Sequence, residues 1–141
     1  MSAHSFFLDF LYWRISSRYQ KAFVEIRKAD IDRYKDQERL SEHKQEIAQF
    51  IKVLKDDNKK ILVIIFPSMY FIGPNYPSAD IHTLMGNYFR DQGVETIDLL
   101  NDLKGKDAKS LIASPFDSHP NEYVYNLAAE RIFEKVKPLL K

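Results

Sequence analysis

The amino-acid sequence predicts an α/β domain with a parallel sheet, and three neighbouring segments carry this prediction. Residues 61–66 are all apolar and mostly branched, which is typical of a strand buried on both faces of a parallel sheet. Residues 79–92 have the apolar spacing of a helix, and residues 94–100 form a second apolar strand pattern. A strand, a helix and a strand in this order form the unit from which parallel sheets are built.

The composition is that of one folded domain. The chain has 141 residues, of which 45% are hydrophobic, and this is enough apolar material for a core. The formal net charge is +1, whereas nucleic-acid binding usually requires a strongly basic face, so we expect no nucleic-acid partner. The absence of cysteine excludes disulfides, thiolate metal sites and a cysteine nucleophile, but it leaves the compartment open.

Residues 5–28 predict one helix or two short ones. The most apolar stretch, Phe6–Ile15, is apolar on more than one face, so a single groove would not cover it. It is shorter than the roughly 20 apolar residues of a transmembrane segment, and it lacks the positive leader and cleavage site of a signal peptide. We therefore expect a buried or partner-facing helix, in which Trp13 and the phenylalanines are core aromatics that a missing half of the sheet would cover, rather than the lining of an acyl-chain pocket.

A further helix is expected within the charged residues 28–60. Charges of both signs are mixed along this segment, which is typical of a solvated helix surface rather than a binding patch. Its apolar side chains are spaced for one helical stripe, formed by Leu40, Ile47, Phe50, Ile51 and Leu54.

The C-terminal elements follow from turn and cap signals. Residues 69–78 predict a loop, because they contain one glycine and two prolines. The helix at 79–92 ends before Gly93, a favoured C-terminal cap. After a polar connection at 103–111, the last helix is expected to begin near Pro120, a favoured first helical position. Its inward residues are expected to be Leu127, Ala128, Ile132, Phe133 and Val136.

Two strands make an incomplete parallel sheet, because an isolated pair of strands is only marginally stable. No internal repeat or linker divides the chain. The sequence therefore predicts one domain over residues 1–141, with a helical region at 1–60 and a strand–helix–strand–helix region at 61–141. We therefore expect the two strands to be part of a larger parallel sheet.

The segment 114–122 holds the pair of residues with a chemical signature. It lies between the second strand and the last helix, where open α/β sheets usually place their sites. Asp117 and His119 are two residues apart, and a loop can turn both side chains to one site. A carboxylate that binds one imidazole nitrogen fixes the tautomer and leaves the other nitrogen to take a proton from a nucleophile. A helix-capping aspartate beside a surface histidine would explain the same spacing.

The run from Asp117 to Asn121, Asp-Ser-His-Pro-Asn, is followed at 127–132 by Leu-Ala-Ala-Glu-Arg-Ile. This run resembles the last conserved block of the SGNH (GDSL-type) esterases and acylhydrolases. Residues 61–67 resemble the fourth strand of that family, and residues 93–100 resemble the strand before its catalytic loop. The resemblance implies a three-layer α/β/α sandwich of the flavodoxin-like SGNH type and a small-molecule ester as substrate. It also implies His119 as general base and then acid, Asp117 as its orienting group, and no metal or organic cofactor.

The sequence departs from this family at the nucleophile. The family's serine lies in a Gly-Asp-Ser block after the first strand, and this sequence contains no Gly-Asp-Ser. Gly73-Pro-Asn75 has the letters of an oxyanion-hole block, but it follows the wrong strand. A single residue, Ser118, separates Asp117 from His119, where the family more often has two. The sequence thus predicts the C-terminal portion of such a domain, with the N-terminal strands missing.

Other candidate residues have structural explanations as well as functional ones. Ser68 follows the first strand at its carboxyl end, but without the Gly-x-Ser-x-Gly of a nucleophile elbow it can also be a turn residue. Asp98 is also a candidate functional residue, but a position at the end of the second strand, facing a polar loop, would explain an aspartate there without any function. Ser114 and Ser118 flank Asp117 and His119 too closely to act easily as the nucleophile. The other histidines, His4, His43 and His82, lack the spacing of metal ligands.

Two functions from different classes remain. The first is the C-terminal portion of an SGNH-like serine ester hydrolase, which supplies Asp117 and His119 and is inactive alone. The second is a non-catalytic α/β interaction domain. It would form a homo-oligomer, or pair with the missing N-terminal half, through Phe6–Ile15 and the edge of the sheet, since an exposed strand edge is a template for pairing.

Overall fold

The structure is a computed structural model that describes residues 5–15, 25, 28–29, 31–114 and 117–140. The chain divides into two compact units, residues 1–45 and residues 46–141. Most of the predicted helical segment after residue 15, and the side chain of Trp13, lie outside the described residues. No helix in the described ranges has both the length and the apolar character that crossing a membrane requires.

In the first unit, helix α1 spans Phe6–Ile15, and the Leu8 N–H donates to Ser5 Oγ in its first turn. Phe6 is 98% exposed, and Phe7, Leu8 and Phe10 are also exposed. These side chains are therefore not buried by the described residues. A helix that is apolar on more than one face has more apolar surface than one groove can cover, so its expected contact with a partner stays a prediction.

Helix α2 spans Gln37–Asp56, and Asp36 caps its first turn by accepting from the N–H groups of Glu38 and Arg39. Leu40 and Ile51 are buried, as the predicted stripe requires, but Phe50 is exposed. The prediction for Phe50 was wrong because each helical residue turns by about 100°, which places Phe50 to the side of the line through Leu40 and Ile51.

In the second unit, strands β1, Leu62–Ile65, and β2, Glu95–Asp98, pair in parallel, with Leu62 opposite Glu95 and Ile65 opposite Asp98. Helix α3, Ala79–Asp91, lies between them in the chain. The predicted α/β class with a small parallel sheet is thereby confirmed. β1 is only half-buried along its length, so the expected burial on both faces was wrong, since β2 is its single partner strand among the described residues.

The C-terminal end of α3 is capped as the sequence predicts. Gly93 has φ +65°, the left-handed conformation that favours glycine, and its N–H donates to the Arg90 carbonyl at 2.9 Å. Lys55 Nζ donates to the Gln92 carbonyl at 2.6 Å, which adds a positive charge at the negative end of the helix.

The predicted polar connection and loop after β2 contain further elements. Helix α4, Leu100–Leu103, follows β2 directly, and a 3₁₀ turn spans Ala108–Ser110. Strands β3, Ile112–Ser114, and β4, Asp117–Pro120, pair antiparallel. Helix α5 spans Glu122–Val136, and a 3₁₀ turn at Lys137–Leu139 follows it.

The core of the second unit draws on segments that the sequence predicted to be polar or irregular. Leu103 and Leu111, at the two ends of the predicted polar connection, are almost completely buried. The predicted loop after β1 contains the 3₁₀ turn Met69–Phe71, and Met69 is also buried. The buried cluster consists of Met69, Ile72, Ile97, Leu99, Leu100, Leu103, Leu111, Val124 and Ala128.

Helix α5 packs on this cluster through Val124 and Ala128, one turn apart. Phe133 was predicted to face inward, but it is exposed. The reason is geometric: Phe133 lies five residues after Ala128, and five steps of about 100° place it well away from the buried face.

Leu103→Ala should lower the free energy of unfolding by about 2–5 kcal/mol, because it removes a fully buried side chain and leaves a cavity. Leu139→Ala is the matched control, since Leu139 is exposed and its truncation should cost less than about 1 kcal/mol. Urea unfolding measures both values. Similar losses in the two variants would contradict the assignment of Leu103 to the core.

Candidate functional site

Strand β4 carries both residues of the predicted pair. Asp117 Oδ1 accepts a hydrogen bond from the backbone N–H of His119 at 2.9 Å and a second from its ring atom Nδ1. Successive side chains of a strand alternate between its two faces, so residues two apart share a face. The segment was predicted to be a loop, which was wrong: it is a strand, and the spacing of a strand brings the two side chains together.

The second ring nitrogen of His119, Nε2, belongs to a side chain that is largely exposed. The His119 side chain is 80% exposed and that of Asp117 is 51% exposed. A carboxylate can only accept hydrogen bonds, so in the neutral ring the contact with Asp117 places the proton on Nδ1 and leaves Nε2 as an acceptor. No hydrogen bond in the described part of the chain involves Nε2. This nitrogen is therefore accessible to a group that gives up a proton.

The carboxylate form of Asp117 is favoured by its contacts. The pKa of Asp117 lies below its ordinary value, first because the backbone N–H of His119 donates to it and second because the His119 side chain does so. A lowered pKa in the folded state means that these contacts stabilise the fold above the unfolded-state pKa. This contribution is lost as the pH falls through the folded-state pKa.

One residue, Asn121, fixes the end of β4 to its surroundings. Its N–H donates to the Leu111 carbonyl at 2.9 Å, and its Nδ2 donates to the Ser110 carbonyl at 2.8 Å. Its Oδ1 accepts from the Val124 N–H at 3.3 Å, which makes Asn121 the N-cap of α5. The helix was predicted to begin near Pro120, and it begins at Glu122, because Pro120 belongs to β4 and the capping side chain is one residue later.

The other candidate serines do not complete the pair. Ser68 is half-buried at the start of the 3₁₀ turn, where its N–H donates to Tyr76 Oη at 2.8 Å. Within the described residues its hydroxyl makes no hydrogen bond with His119. Ser114 lies opposite Asp117 in the hairpin, and Ser118 lies on the other face of β4. Among the described residues, none of these three hydroxyl groups makes a hydrogen bond with Nε2 of His119.

A second His–Asp contact was missed by the sequence analysis. His82 is only 7% exposed, and its Nδ1 lies 2.8 Å from Asp98 Oδ1. The helical spacing of His82 and the buried Met85 on α3 is a signal that could have placed His82 inside. Nothing in the local sequence could pair it with Asp98, because the two residues meet only when β1 and β2 align in parallel around α3.

The remaining histidines and acidic residues form no metal site within the described ranges, where no group of three or more such side chains is placed to hold an ion. His43 contacts the ring of Tyr34, and His4 lies outside the described residues. Comparison of the chain with protein-family models, with curated proteins and with solved structures found no match.

His119→Ala should raise the pKa of Asp117 but leave it below the ordinary value for an aspartate. The substitution removes the ring contact, whereas the backbone N–H at position 119, the larger cause of the shift, remains. A pH titration followed by the carboxyl-carbon NMR signal of Asp117 measures both values. His43→Ala is the control and should leave the titration unchanged. A full return to the ordinary value would contradict the role of the backbone amide.

Proposed function

We propose that the chain is the C-terminal portion of an SGNH-like serine ester hydrolase and supplies the Asp–His pair of a Ser-His-Asp triad. The observation that carries the proposal is the hydrogen bond from His119 Nδ1 to Asp117 Oδ1, which leaves Nε2 accessible. The resemblance of residues 117–132 to the last block of that family points to the same two residues. The nucleophilic serine is not identified in this sequence.

The chemistry of the pair follows from its geometry. Nε2 of His119 takes the proton of a serine hydroxyl as the serine oxygen attacks the ester carbonyl. Asp117 holds the ring in the required tautomer and stabilises the imidazolium that forms. His119 then gives the proton to the leaving alcohol, and it activates the water that releases the acyl group. Backbone N–H groups that stabilise the oxyanion belong to the same unidentified part of the site as the serine.

The wider fold of the proposal is a three-layer α/β/α sandwich with β1 and β2 as two strands of a larger parallel sheet. Two features of β1 support it: the strand pairs only with β2 within the described residues, and its branched apolar side chains are only half-buried. Further strands beside β1 would bury these side chains, as is usual in parallel sheets. In this proposal the further strands and the serine belong to the same missing N-terminal segment.

The competence of His119 can be measured on the purified chain with p-nitrophenyl acetate, an activated ester that an accessible imidazole attacks directly. We expect His119→Ala to lower the rate of nitrophenol release. Asp117→Asn should reduce it several-fold, because the amide no longer fixes the ring tautomer as the carboxylate does. His43→Ala, which removes another exposed histidine, is the matched control. Equal rates for the parent chain and His119→Ala would contradict the proposal.

The location of the nucleophile is a separate question, which a fluorophosphonate probe addresses because it reacts with base-activated serines. The proposal expects no adduct on this chain that depends on His119. An adduct on Ser68 that disappears in His119→Ala would place the nucleophile within the chain and would overturn the assignment to a missing segment.

A second candidate function is a non-catalytic α/β interaction domain, and two separate observations favour it. In the second unit, one edge of β1 has no partner strand among the described residues, and such an edge is a template for pairing with another chain. In the first unit, α1 exposes the adjacent side chains of Phe6 and Phe7. A compact apolar patch of this kind often marks an interaction surface.

If α1 mediates self-association, the double variant Phe6→Ser, Phe7→Ser should shift the sedimentation profile from oligomer towards monomer at micromolar concentration. The free energy of unfolding should change by less than about 1 kcal/mol, since both side chains are exposed. Phe50→Ser is the matched control, because Phe50 is an exposed phenylalanine on another helix. A parent chain that sediments as a strict monomer contradicts self-association.

A further inference from the structure

A continuous series of hydrogen bonds crosses the second unit without using Asp117 or His119. The Ser68 N–H donates to Tyr76 Oη at 2.8 Å, and Tyr76 Oη lies 3.4 Å from His82 Nε2. His82 Nδ1 lies 2.8 Å from Asp98 Oδ1, which also accepts from the Leu100 N–H at 3.0 Å. The series therefore joins the end of β2 to the beginning of the 3₁₀ turn after β1.

For a neutral His82 ring, the chemistry of these groups allows one placement of the protons. The Asp98 carboxylate can only accept, so the proton of the neutral His82 ring is on Nδ1 and Nε2 is an acceptor. The Tyr76 hydroxyl then donates to Nε2, and its oxygen accepts from the Ser68 N–H. Each donor along the series meets an acceptor, and hydrogen bonds arranged in this way strengthen one another.

The burial of His82 makes its hydrogen bonds in this series important for the stability of the fold. His82 is the one buried polar side chain among the described residues, and the Tyr76 ring packs edge-on against it with centroids 5.4 Å apart. A buried polar group is unfavourable unless it is hydrogen-bonded. An apolar residue could fill the same space on α3, but it could not join β2 to the loop after β1.

At one end of the series, Ser68 begins a turn that packs beside β4, the strand of the candidate site. Ser68 is the N-cap residue of the 3₁₀ turn Met69–Phe71, and Met69 is buried in the core. This turn packs beside β4, the strand of Asp117 and His119. Tyr76, farther along the same loop, connects Ser68 to His82 through its hydroxyl group.

We propose that His82, held by Asp98 and acting through Tyr76, positions the turn Met69–Phe71 against β4 and so sets the placement of the Asp117–His119 pair. His82 and Tyr76 are positioning residues, because neither contacts the reacting nitrogen of His119. The catalytic meaning of this role rests on the proposed hydrolase function. The positional coupling itself does not, and NMR on the full chain tests it without any substrate.

The first measurement is the tautomer of His82 in the unaltered, isotope-labelled chain at neutral pH. Long-range proton–nitrogen correlations distinguish a protonated Nδ1 from a protonated Nε2. The proposal requires the proton on Nδ1, because only that form donates to Asp98 and accepts from Tyr76. A neutral ring with its proton on Nε2 overturns the series of bonds and the proposal with it.

The second measurement uses Tyr76→Phe, which keeps the ring and removes only the oxygen between Ser68 and His82. We expect the amide signals of both the turn Met69–Phe71 and β4 to shift. We also expect hydrogen exchange at the His119 N–H, which donates to Asp117 Oδ1, to become about threefold faster. Unchanged signals and exchange in β4 would overturn the proposal.

Two further variants separate positioning from a general loss of stability. Met85→Ala truncates another buried residue of α3 outside the series, and it should leave the β4 signals and the His119 exchange rate nearly unchanged. Asp98→Asn keeps an oxygen that can accept from His82 and Leu100, so it should change β4 less than Tyr76→Phe does. Equal effects of Met85→Ala and Tyr76→Phe on β4 would overturn the proposal. Equal rates of nitrophenol release by the parent chain and His119→Ala, together with the expected NMR changes, would contradict the hydrolase function alone.

Discussion

The parallel pairing of β1 with β2 is the constraint on which the second unit depends. Because both strands point the same way, their carboxyl ends meet at one edge, and the chain must cross back through the loop after β1 and through α3. This crossing brings His82 on α3 to Asp98 at the end of β2. It also leads the chain from β2 directly into Leu99, Leu100 and the rest of the buried cluster, on which α5 then packs.

The sequence was sufficient to predict those elements whose sequence pattern depends only on neighbouring residues. The branched run of β1, the periodicity of α3 and the left-handed glycine after it depend on neighbouring residues, and the structure has all three where they were expected. The errors concern properties that depend on distant contacts. Phe133 and Phe50 satisfy an apolar pattern but lie beside the buried face, and β1 is only half-buried because burial requires neighbouring strands.

The candidate site shows the same division. The proximity of Asp117 and His119 follows from two positions in one short segment, so the pair could be found although its strand was mistaken for a loop. The series through Tyr76 and His82 could not be found in this way. Its members lie on a loop, a helix and a strand, and each one alone has an ordinary structural explanation. Only the tertiary fold shows that every polar group in it has a partner.

The exposure of His119 bears on the proposed hydrolase function. In water, the attraction between an imidazolium and a carboxylate is weakened by the high dielectric constant, so an exposed pair stabilises a transition state poorly. The same pair becomes effective when a covering surface excludes water. A segment that supplied the serine would have to approach Nε2 and would therefore also provide this cover. In the proposed hydrolase, the contact that completes the triad would therefore also lower the local dielectric constant around Asp117 and His119.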